Sequence, residues 1–358
     1  MRLRGVNRAI ALVSVLALGL AACGDDDDDT AADEDETATT AGDNGEGPSI
    51  GLVYDIGGRG DQSFNDSAFR GLEQASEELG ADTRDLEPDA GGENRGELLQ
   101  LLADEGRELI FGIGFLFTDS VTETAQNNPD TSFAIVDAVV EEPNVASLTF
   151  AEEEGSFLMG AAAALKSESG TIGFIGGVET ELIQKFQAGY EAGAQAVNPD
   201  ITVLVDYITQ PPDFSGFNAP ERAREIADNH YSQSADVVYH AAGGSGQGLF
   251  ESARATSEST GSKVWAIGVD SDQFLTAGEE LGQFILTSML KQVDAAVFRT
   301  AEQFAAGEEV GGEVLVFNLE SEGIDYSTSG GFVDDITGEL DDFKEQIISG
   351  EIEVPTVP

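Results

Sequence analysis

Short apolar runs alternate with segments of helical spacing from Ile50 nearly to the C-terminus. The runs predict eleven strands, near 50–54, 81–86, 109–113, 132–136, 145–149, 171–175, 201–207, 236–240, 263–269, 284–288 and 313–317. Strands that alternate with helices are typical of parallel sheets flanked by helices, and eleven strands indicate two sheets. The pattern therefore predicts an α/β fold with two lobes, each a mainly parallel sheet with helices on its faces, and a ligand cleft between them.

Helical spacing of apolar residues is clearest in five segments, namely 153–166, 181–197, 219–229, 290–306 and 335–348. We expect the chain to pass between the two lobes more than once. The expected first lobe comprises residues 49–149 and 271–309, and the expected second lobe comprises residues 150–270 and 310–358.

The stretch 50–79 joins the first strand to a helix through a glycine-rich turn. Asp55 ends the apolar run, and Asn65 stands near the start of the helix. The backbone N–H groups at a helix N-terminus can hold polar ligand groups. Phe64 is a large aromatic residue in a polar turn, so it is a candidate stacking surface for a ring. Alternatively, it packs as a staple on the first turn of its own helix.

Polar residues also follow three other predicted strands, in the segments GIGFLFTD, HAAGGSGQG and GVDSDQ. Ligands of doubly wound sheets bind beyond the carboxyl ends of the strands, so these loops converge if two lobes face each other. We expect Asp55, Asp119 and Asp270 to point at the cleft. Each of them could instead cap the following helix.

Residues 1–23 have the pattern of an export signal, since arginines precede a short uncharged run that ends at Cys23. The segment LAAC resembles a bacterial lipobox, so Cys23 is the expected lipidation site. Residues 24–48 are acidic and lack large apolar side chains, which predicts a disordered tether. We therefore expect an extracytoplasmic protein that a lipid anchors to the cell membrane.

The formal net charge of −51 excludes several classes of partner. It repels nucleic acid and anionic lipid, and it favours a neutral ligand over a highly charged anion. Acidic residues spread over the whole chain indicate a halophilic-type surface, because salt screens their repulsion. Cys23 is the only cysteine, so no disulfide is expected.

Catalytic motifs are missing from the sequence. The segment GGRG at 57–60 fits neither the dinucleotide nor the P-loop pattern, and GGSGQ at 243–247 departs from the nucleophile elbow at its last position. The two histidines, His230 and His240, have no neighbouring ligand cluster. We expect a protein that is not an enzyme and that uses neither a cofactor nor a metal.

Several segments, in the same order, resemble the Bmp/PnrA-like (basic membrane protein) family of substrate-binding lipoproteins. They are VYDIGGRGDQSFNDSAFRGLEQA, GIGFLFTD, FAIVDA, EEEGSFLMGAAAAL, IGFIGGVE, FQAGYEAGAQAVNP, ADVVYHAAGGSGQGLFESA, AIGVDSDQ and LTSMLKQVDAAV. The resemblance implies a two-lobed periplasmic-binding-protein-like fold of type I. It also implies that the protein delivers a purine nucleoside to an ABC-type permease, and we expect it to do so as a monomer.

The resemblance also implies roles for individual residues. The base-stacking aromatics correspond to Phe64 and Phe217, with Phe186 nearby; Asp55, Asn65 and Asp119 correspond to positions around the base, and Gly244, Asp270 and Lys291 to positions around the ribose. Aromatic stacking contributes about 1–3 kcal/mol per base and tolerates different bases. Ala219 replaces an acid of the family pattern and the preceding loop, TQPPDFSG, is longer, so Phe214 could compete with Phe217 for the second stacking role.

Two other functions are compatible with the same cleft. A lipoprotein of this kind could sense its ligand and pass occupancy to a membrane receptor or kinase instead of an importer. The ligand could also be another ring compound, such as a sugar, an autoinducer-like molecule or a free base, because sugar sites also combine aromatic faces with carboxylates.

Overall fold

The computed structural model describes residues 47–358. The expected export signal, the lipidation site at Cys23 and the tether up to residue 46 lie outside the described residues. Among the helices of the described part, none combines the length and apolarity that a membrane crossing requires.

Twelve strands and eleven α-helices make up the described chain. The strands are β1 Ser49–Val53, β2 Asp82–Leu86, β3 Leu109–Gly112, β4 Ser132–Val136, β5 Val145–Phe150, β6 Thr171–Val178, β7 Thr202–Thr209, β8 Val237–Ala241, β9 Trp265–Asp270, β10 Ile285–Lys291, β11 Val314–Phe317 and β12 Ile324–Tyr326. The helices are α1 Phe64–Leu79, α2 Arg95–Asp104, α3 Thr118–Asn127, α4 Glu152–Lys166, α5 Glu181–Val197, α6 Pro220–Ser232, α7 Gly246–Thr260, α8 Gln273–Thr276, α9 Gly278–Gly282, α10 Val293–Ala305 and α11 Thr337–Ile348.

The strands form two sheets of six, which confirms the predicted fold class. The first sheet has the order β11-β5-β4-β3-β1-β2 and the second the order β12-β10-β9-β8-β6-β7. Every pairing is parallel except that of β10 with β12. The inner strands are buried on both faces, as expected for parallel strands covered by helices. The carboxyl ends of these strands therefore carry the loops that can form a site.

Three differences separate the structure from the sequence expectations. Strand β10 pairs with β9 in the second sheet, and β11 pairs with β5 in the first, although the expected division placed residues 271–309 with the first lobe and 310–358 with the second. Helix α10 starts at Val293 rather than at 290, because Lys291 ends β10. Strand β12 was not expected, since three residues are too few for a periodic signal.

The chain crosses between the two sheets three times: from β5 into α4, after β10, and from β11 to β12. Helix α10 returns to the first lobe, where Asp294 accepts a bond from Arg70 of α1 and its backbone N–H donates to Ser67. Hydrophobic periodicity gives the type of each element but not the sheet edge at which a strand pairs, so the assignment of β10 and β11 depended on tertiary packing.

Candidate ligand-binding site between the lobes

A cavity of about 580 Å³, including its mouth, lies between the two lobes at the carboxyl ends of the strands. Its walls comprise Asp55, Ile56, Asp61, Phe64, Asn65, Gly114, Phe115, Asp137, Leu182, Ile183, Phe186, Phe217, Ala241, Ala242, Gly243, Val269, Asp270 and Lys291. Seven of the nine ligand-site residues expected from the sequence are among them, namely Asp55, Phe64, Asn65, Phe186, Phe217, Asp270 and Lys291.

The turn before α1 is held in shape by its own side chains. The Asp61 carboxylate accepts bonds from the backbone N–H groups of Ser63 at 3.0 Å, Asn65 at 2.8 Å and Asp66 at 3.1 Å. The Asn65 amide oxygen accepts from the backbone N–H of Asp55 at 2.9 Å, and its NH₂ group donates to Asp61 at 3.1 Å. Burial raises the pKa of Asp61 to about 6, against the effect of these N–H donors. This network orients Phe64 and Asp55 towards the cavity wall.

Asp55 is supported from behind by a buried arginine that the sequence analysis did not single out. Arg95 donates to one Asp55 carboxylate oxygen at 3.1 Å, and the N–H of Ile56 donates to the same oxygen at 2.8 Å. Burial raises the pKa of Asp55, and Arg95 opposes that rise. The carboxylate remains an acceptor that can meet an N–H group of a ligand.

Aromatic rings from both lobes face the cavity. Phe64 and Phe115 belong to the first lobe, and Phe186 and Phe217 to the second. The Phe115 ring lies 6.4 Å from the Phe217 ring and 6.2 Å from the Phe214 ring, in both cases edge to face. Phe217 is part of the cavity wall and Phe214 is not, which favours Phe217 as the second stacking residue.

In the same wall, 5.3 Å from the Phe64 ring and 5.8 Å from the Phe186 ring, one ammonium group is surrounded by carboxylates. The Lys291 side chain is 2% exposed, and its nitrogen lies 2.7 Å from Asp137 and 3.1 Å from Glu152. Asp270, which lies in the same wall, is 8% exposed. Burial alone would lower the pKa of Lys291, but the neighbouring carboxylates raise it above its ordinary value. Lys291 is therefore charged and already paired.

Two carboxyl groups in the cavity wall, those of Asp137 and Asp270, have raised pKa values. Burial raises the pKa of Asp137 to about 7, although Lys291 acts in the opposite direction. Burial also raises the pKa of Asp270, again against the effect of Lys291. Both residues have left-handed backbones, with φ of 66° at Asp137 and 63° at Asp270. Non-glycine residues in this conformation cost of order 1–3 kcal/mol and cluster at binding sites.

Hydrogen bonds join the lobes beside the cavity. Ser63 of the first lobe donates to the Asp270 carboxylate at 2.5 Å, and its carbonyl accepts from the Ser271 hydroxyl at 2.9 Å. Gln273 donates to the Gln62 carbonyl at 3.2 Å. These contacts close one side of the cleft over the buried cluster.

The structure does not place two of the expected residues in the cavity wall. Asp119 is exposed in the first turn of α3 and lines a separate depression beside α2, so its expected position at the ligand was wrong. A short 3₁₀ helix, Phe115–Phe117, intervenes after β3 and turns Phe115 inwards instead. Gly244 lies at the rim, where a Cβ atom would be 3.5 Å from the Asp61 Cβ, and its neighbour Gly243 lines the cavity.

The sequence analysis missed Asp61, Phe115 and Asp137 in the wall, and Glu152 behind it. Asp137 follows β4 directly, so its position at a strand end was a usable signal of the kind that identified Asp55. Glu152 gave no comparable signal, because it is one of three consecutive glutamates at the start of a helix.

Comparisons with known proteins agree with this architecture. The family described as "Bmp: ABC transporter substrate-binding protein PnrA-like" matches residues 49–357. The CD4+ T-cell-stimulating antigen of Listeria monocytogenes is 33% identical over 322 residues, which are 87% of this chain and 88% of that protein. The ABC transporter nucleoside-binding protein BmpA of Lactococcus lactis subsp. cremoris is 35% identical over 321 residues, which are 85% and 88% of the two chains.

A solved structure shows the same fold. The ABC transporter system solute-binding protein of Aeropyrum pernix K1 superposes with a TM-score of 0.75 at 26% identity, over 86% of this chain and 93% of that one. The expected periplasmic-binding-protein-like architecture is thereby confirmed.

Proposed function

Because the chain belongs to the Bmp family of PnrA-like ABC transporter substrate-binding proteins, we propose that it captures a purine nucleoside in the interlobe cavity and delivers it to an ABC importer. Membership of this family makes the chain an extracytoplasmic binding protein and not an enzyme, as the sequence indicated.

One observation carries the choice of ligand: aromatic rings from both lobes and carboxylates that can accept from hydroxyl groups line the same interlobe cavity. Phe64 and Phe217, from different lobes, can stack on a base, and each stack contributes about 1–3 kcal/mol. Asp137 and Asp270 can accept bonds from the vicinal hydroxyls of ribose. A free base lacks these hydroxyls, and a free sugar lacks the planar base that stacks on the aromatic rings.

Charge favours a nucleoside over a nucleotide. Four carboxylates line the cavity, at Asp55, Asp61, Asp137 and Asp270, and Lys291 is already paired with Asp137 and Glu152. A phosphate placed here would meet carboxylates without a free cation among the described wall residues. The relative from Lactococcus lactis, which is named as a nucleoside-binding protein, supports the same ligand class.

We further propose that Cys23 carries the lipid that holds the protein at the membrane beside its permease. The proposal rests on the LAAC segment at the end of the apolar run. Cys23→Ala is expected to release the protein from membranes into the soluble extracytoplasmic fraction, as immunoblots of the separated fractions would reveal. Retention of the variant on membranes would contradict the anchor but not the ligand.

Titration calorimetry tests the ligand directly. The chain from residue 24 onwards, in high salt, is titrated with adenosine, guanosine, inosine, cytidine, adenine and ribose. We expect at least one purine nucleoside to bind much more tightly than adenine or ribose, because only a nucleoside offers both a base to the aromatic rings and hydroxyl groups to the carboxylates. If no purine nucleoside gives heat or raises the melting temperature, the proposal is wrong. If ribose binds more tightly than every nucleoside, the protein is a sugar-binding protein instead.

Nucleoside affinity is expected to fall about tenfold between pH 8 and pH 6. The Asp137 carboxyl, whose pKa is raised to about 7, takes up a proton over this range, and the protonated form is a poorer acceptor for a ribose hydroxyl. Lys291, Glu152 and Asp270 are the charged groups that face Asp137. Calorimetry in buffers of different ionisation enthalpy should also detect proton release on binding. Asp137→Asn should bind the nucleoside weakly at both pH values. If Asp137→Asn keeps the full pH dependence of nucleoside affinity, Asp137 is not the group responsible for that dependence.

A further inference from the structure

Glu152 is a buried carboxylate that touches two lysines but does not line the cavity. It is 1% exposed and is the first residue of α4, directly after the chain first crosses from the first sheet to the second. One carboxylate oxygen lies 3.1 Å from the Lys291 nitrogen, and the other accepts a bond from Lys185 at 3.3 Å. Among the described residues, Lys291 is thus the wall residue with which Glu152 forms an ion pair.

Stabilisation of the α4 N-terminus does not account for these contacts. Negative side chains in a first helical turn interact favourably with the helix dipole, but they can do so while exposed. Glu153 and Glu154 share this turn and take part in no ion pair of the described chain. Burial of a carboxylate costs several kcal/mol unless other groups compensate it, and the two lysines provide that compensation. The placement of Glu152 is thus specific to the lysine cluster.

Lys291 stands between carboxylates of both lobes. Asp137 follows β4 of the first sheet, whereas Glu152 and Asp270 belong to elements of the second lobe. Glu152 attracts the ammonium group away from the cavity, and Asp137 and Asp270 attract it towards the wall. If the charge at Glu152 were removed, the ammonium would associate more closely with the two carboxylates that face the ligand.

We propose that Glu152 is a positioning residue, which fixes the Lys291 ammonium between the lobes so that the Asp137 and Asp270 carboxylates stay available to hydroxyl groups of the ligand. The inference rests on the proposed nucleoside function. Lys185, whose side chain is 34% exposed, holds the outer oxygen of Glu152 and completes the arrangement. A ligand without a ribose has no hydroxyl groups for the Asp137 and Asp270 carboxylates, so its binding does not depend on where the Lys291 ammonium is held.

The test compares inosine with hypoxanthine, which differ only in the ribose. In the full chain, Glu152→Gln keeps the shape of the side chain and removes its charge. Inosine affinity is expected to fall about tenfold, while hypoxanthine affinity changes less than about twofold, in keeping with the loss of one charge-assisted hydrogen bond. Glu154→Gln is the matched control: it removes a charge from the same helical turn, where Glu154 accepts only from the backbone N–H of Leu319, and it should leave both affinities unchanged.

The pH profile separates positioning from general damage. The Glu152 charge contributes to the raised pKa of Asp137, so Glu152→Gln should move the midpoint of inosine binding to lower pH. A variant that is merely less stable would lose affinity without moving this midpoint. If Glu152→Gln does not fold, Glu152→Asp retains the charge but withdraws it by one methylene, and it should still lose inosine affinity selectively, by about threefold.

The outcomes distinguish the inference from the function on which it depends. The positioning role is wrong, and the proposed function stands, if the unaltered protein binds inosine and Glu152→Gln binds it equally well. The same holds if Glu152→Gln loses as much affinity for hypoxanthine as for inosine. If the unaltered protein binds no purine nucleoside, the proposed function is wrong and the inference is wrong with it.

Discussion

Replacement of Lys291 with methionine is expected to lower the free energy of unfolding by about 3–5 kcal/mol, because it leaves buried carboxylates without their cation. Methionine preserves most of the volume of the side chain, so the effect reports charge and not a cavity. The Lys291 nitrogen lies within 3.1 Å of both Asp137 and Glu152, and its side chain is 2% exposed. Denaturant unfolding without ligand measures the loss. A change below about 1 kcal/mol would contradict a stabilising role of the ammonium.

The loss should depend on pH in a defined direction. Lys291 lowers the pKa of Asp137 and of Asp270, so its removal raises both further above their unfolded values. The folded variant then binds more protons than the unfolded chain near neutral pH, and its stability decreases as pH rises. The difference from the unaltered protein should therefore be smaller at pH 5.5 than at pH 8.

Lys185→Met provides the matched control for this experiment. Lys185 contacts the same carboxylate, Glu152, but its side chain is 34% exposed, and Lys291 remains as the partner of Glu152. We expect a loss below about 1 kcal/mol at both pH values, as is usual for solvent-screened ion pairs. Equal losses in the two lysine variants would show that burial does not distinguish the two ion pairs.

Substitution of Phe64 with alanine is expected to weaken the binding of purine nucleosides and of free purine bases by about 1–3 kcal/mol, which is about 5- to 160-fold in affinity. The ring lies in the cavity wall, so its removal eliminates one stacking face. A base can stack on the ring with or without a ribose, although the ring also contacts the Lys291 ammonium at 5.3 Å. Calorimetric titrations with inosine and hypoxanthine measure both losses.

Two further variants make this result specific. Phe69→Ala removes a ring from the same helix outside the cavity wall, where it contacts Arg59, and should leave affinity unchanged. Asp270→Asn should weaken the binding of inosine and leave that of hypoxanthine unchanged, because Asp270 belongs to the carboxylates around Lys291 to which the ribose hydroxyls are assigned. If Phe64→Ala affected inosine alone, the base would not lie on Phe64.

Much of the candidate site was predictable from local signals. Phe64, Asp55 and Asp270 stand at the carboxyl ends of strands or at the first turn of a helix, and in a parallel fold these positions converge. The role of Phe64 as a staple, which the sequence left open, is less favoured now that its ring borders the cavity. Its role in binding stays a prediction until the titrations are made.

Other parts of the site depended on how the chain turns after each strand. The segment after β3 offered both Phe115 and Asp119, and a single 3₁₀ turn brought the ring inwards and left the carboxylate exposed. Rotation of this kind is set by packing against the opposite lobe, where Phe115 meets the Phe217 ring. A one-residue change in turn length reverses such an assignment, and composition does not reveal it.

By itself, the sequence determined the element types, the two-lobed parallel architecture and the family, because hydrophobic periodicity and ordered motifs are local properties. Only the tertiary structure decided which sheet takes β10 and β11, and that Lys291 is enclosed by Asp137 and Glu152. The physical reason is the same in both cases. Strand pairing and burial of charge join residues that are far apart in the chain, and their energies depend on distances that no local pattern encodes.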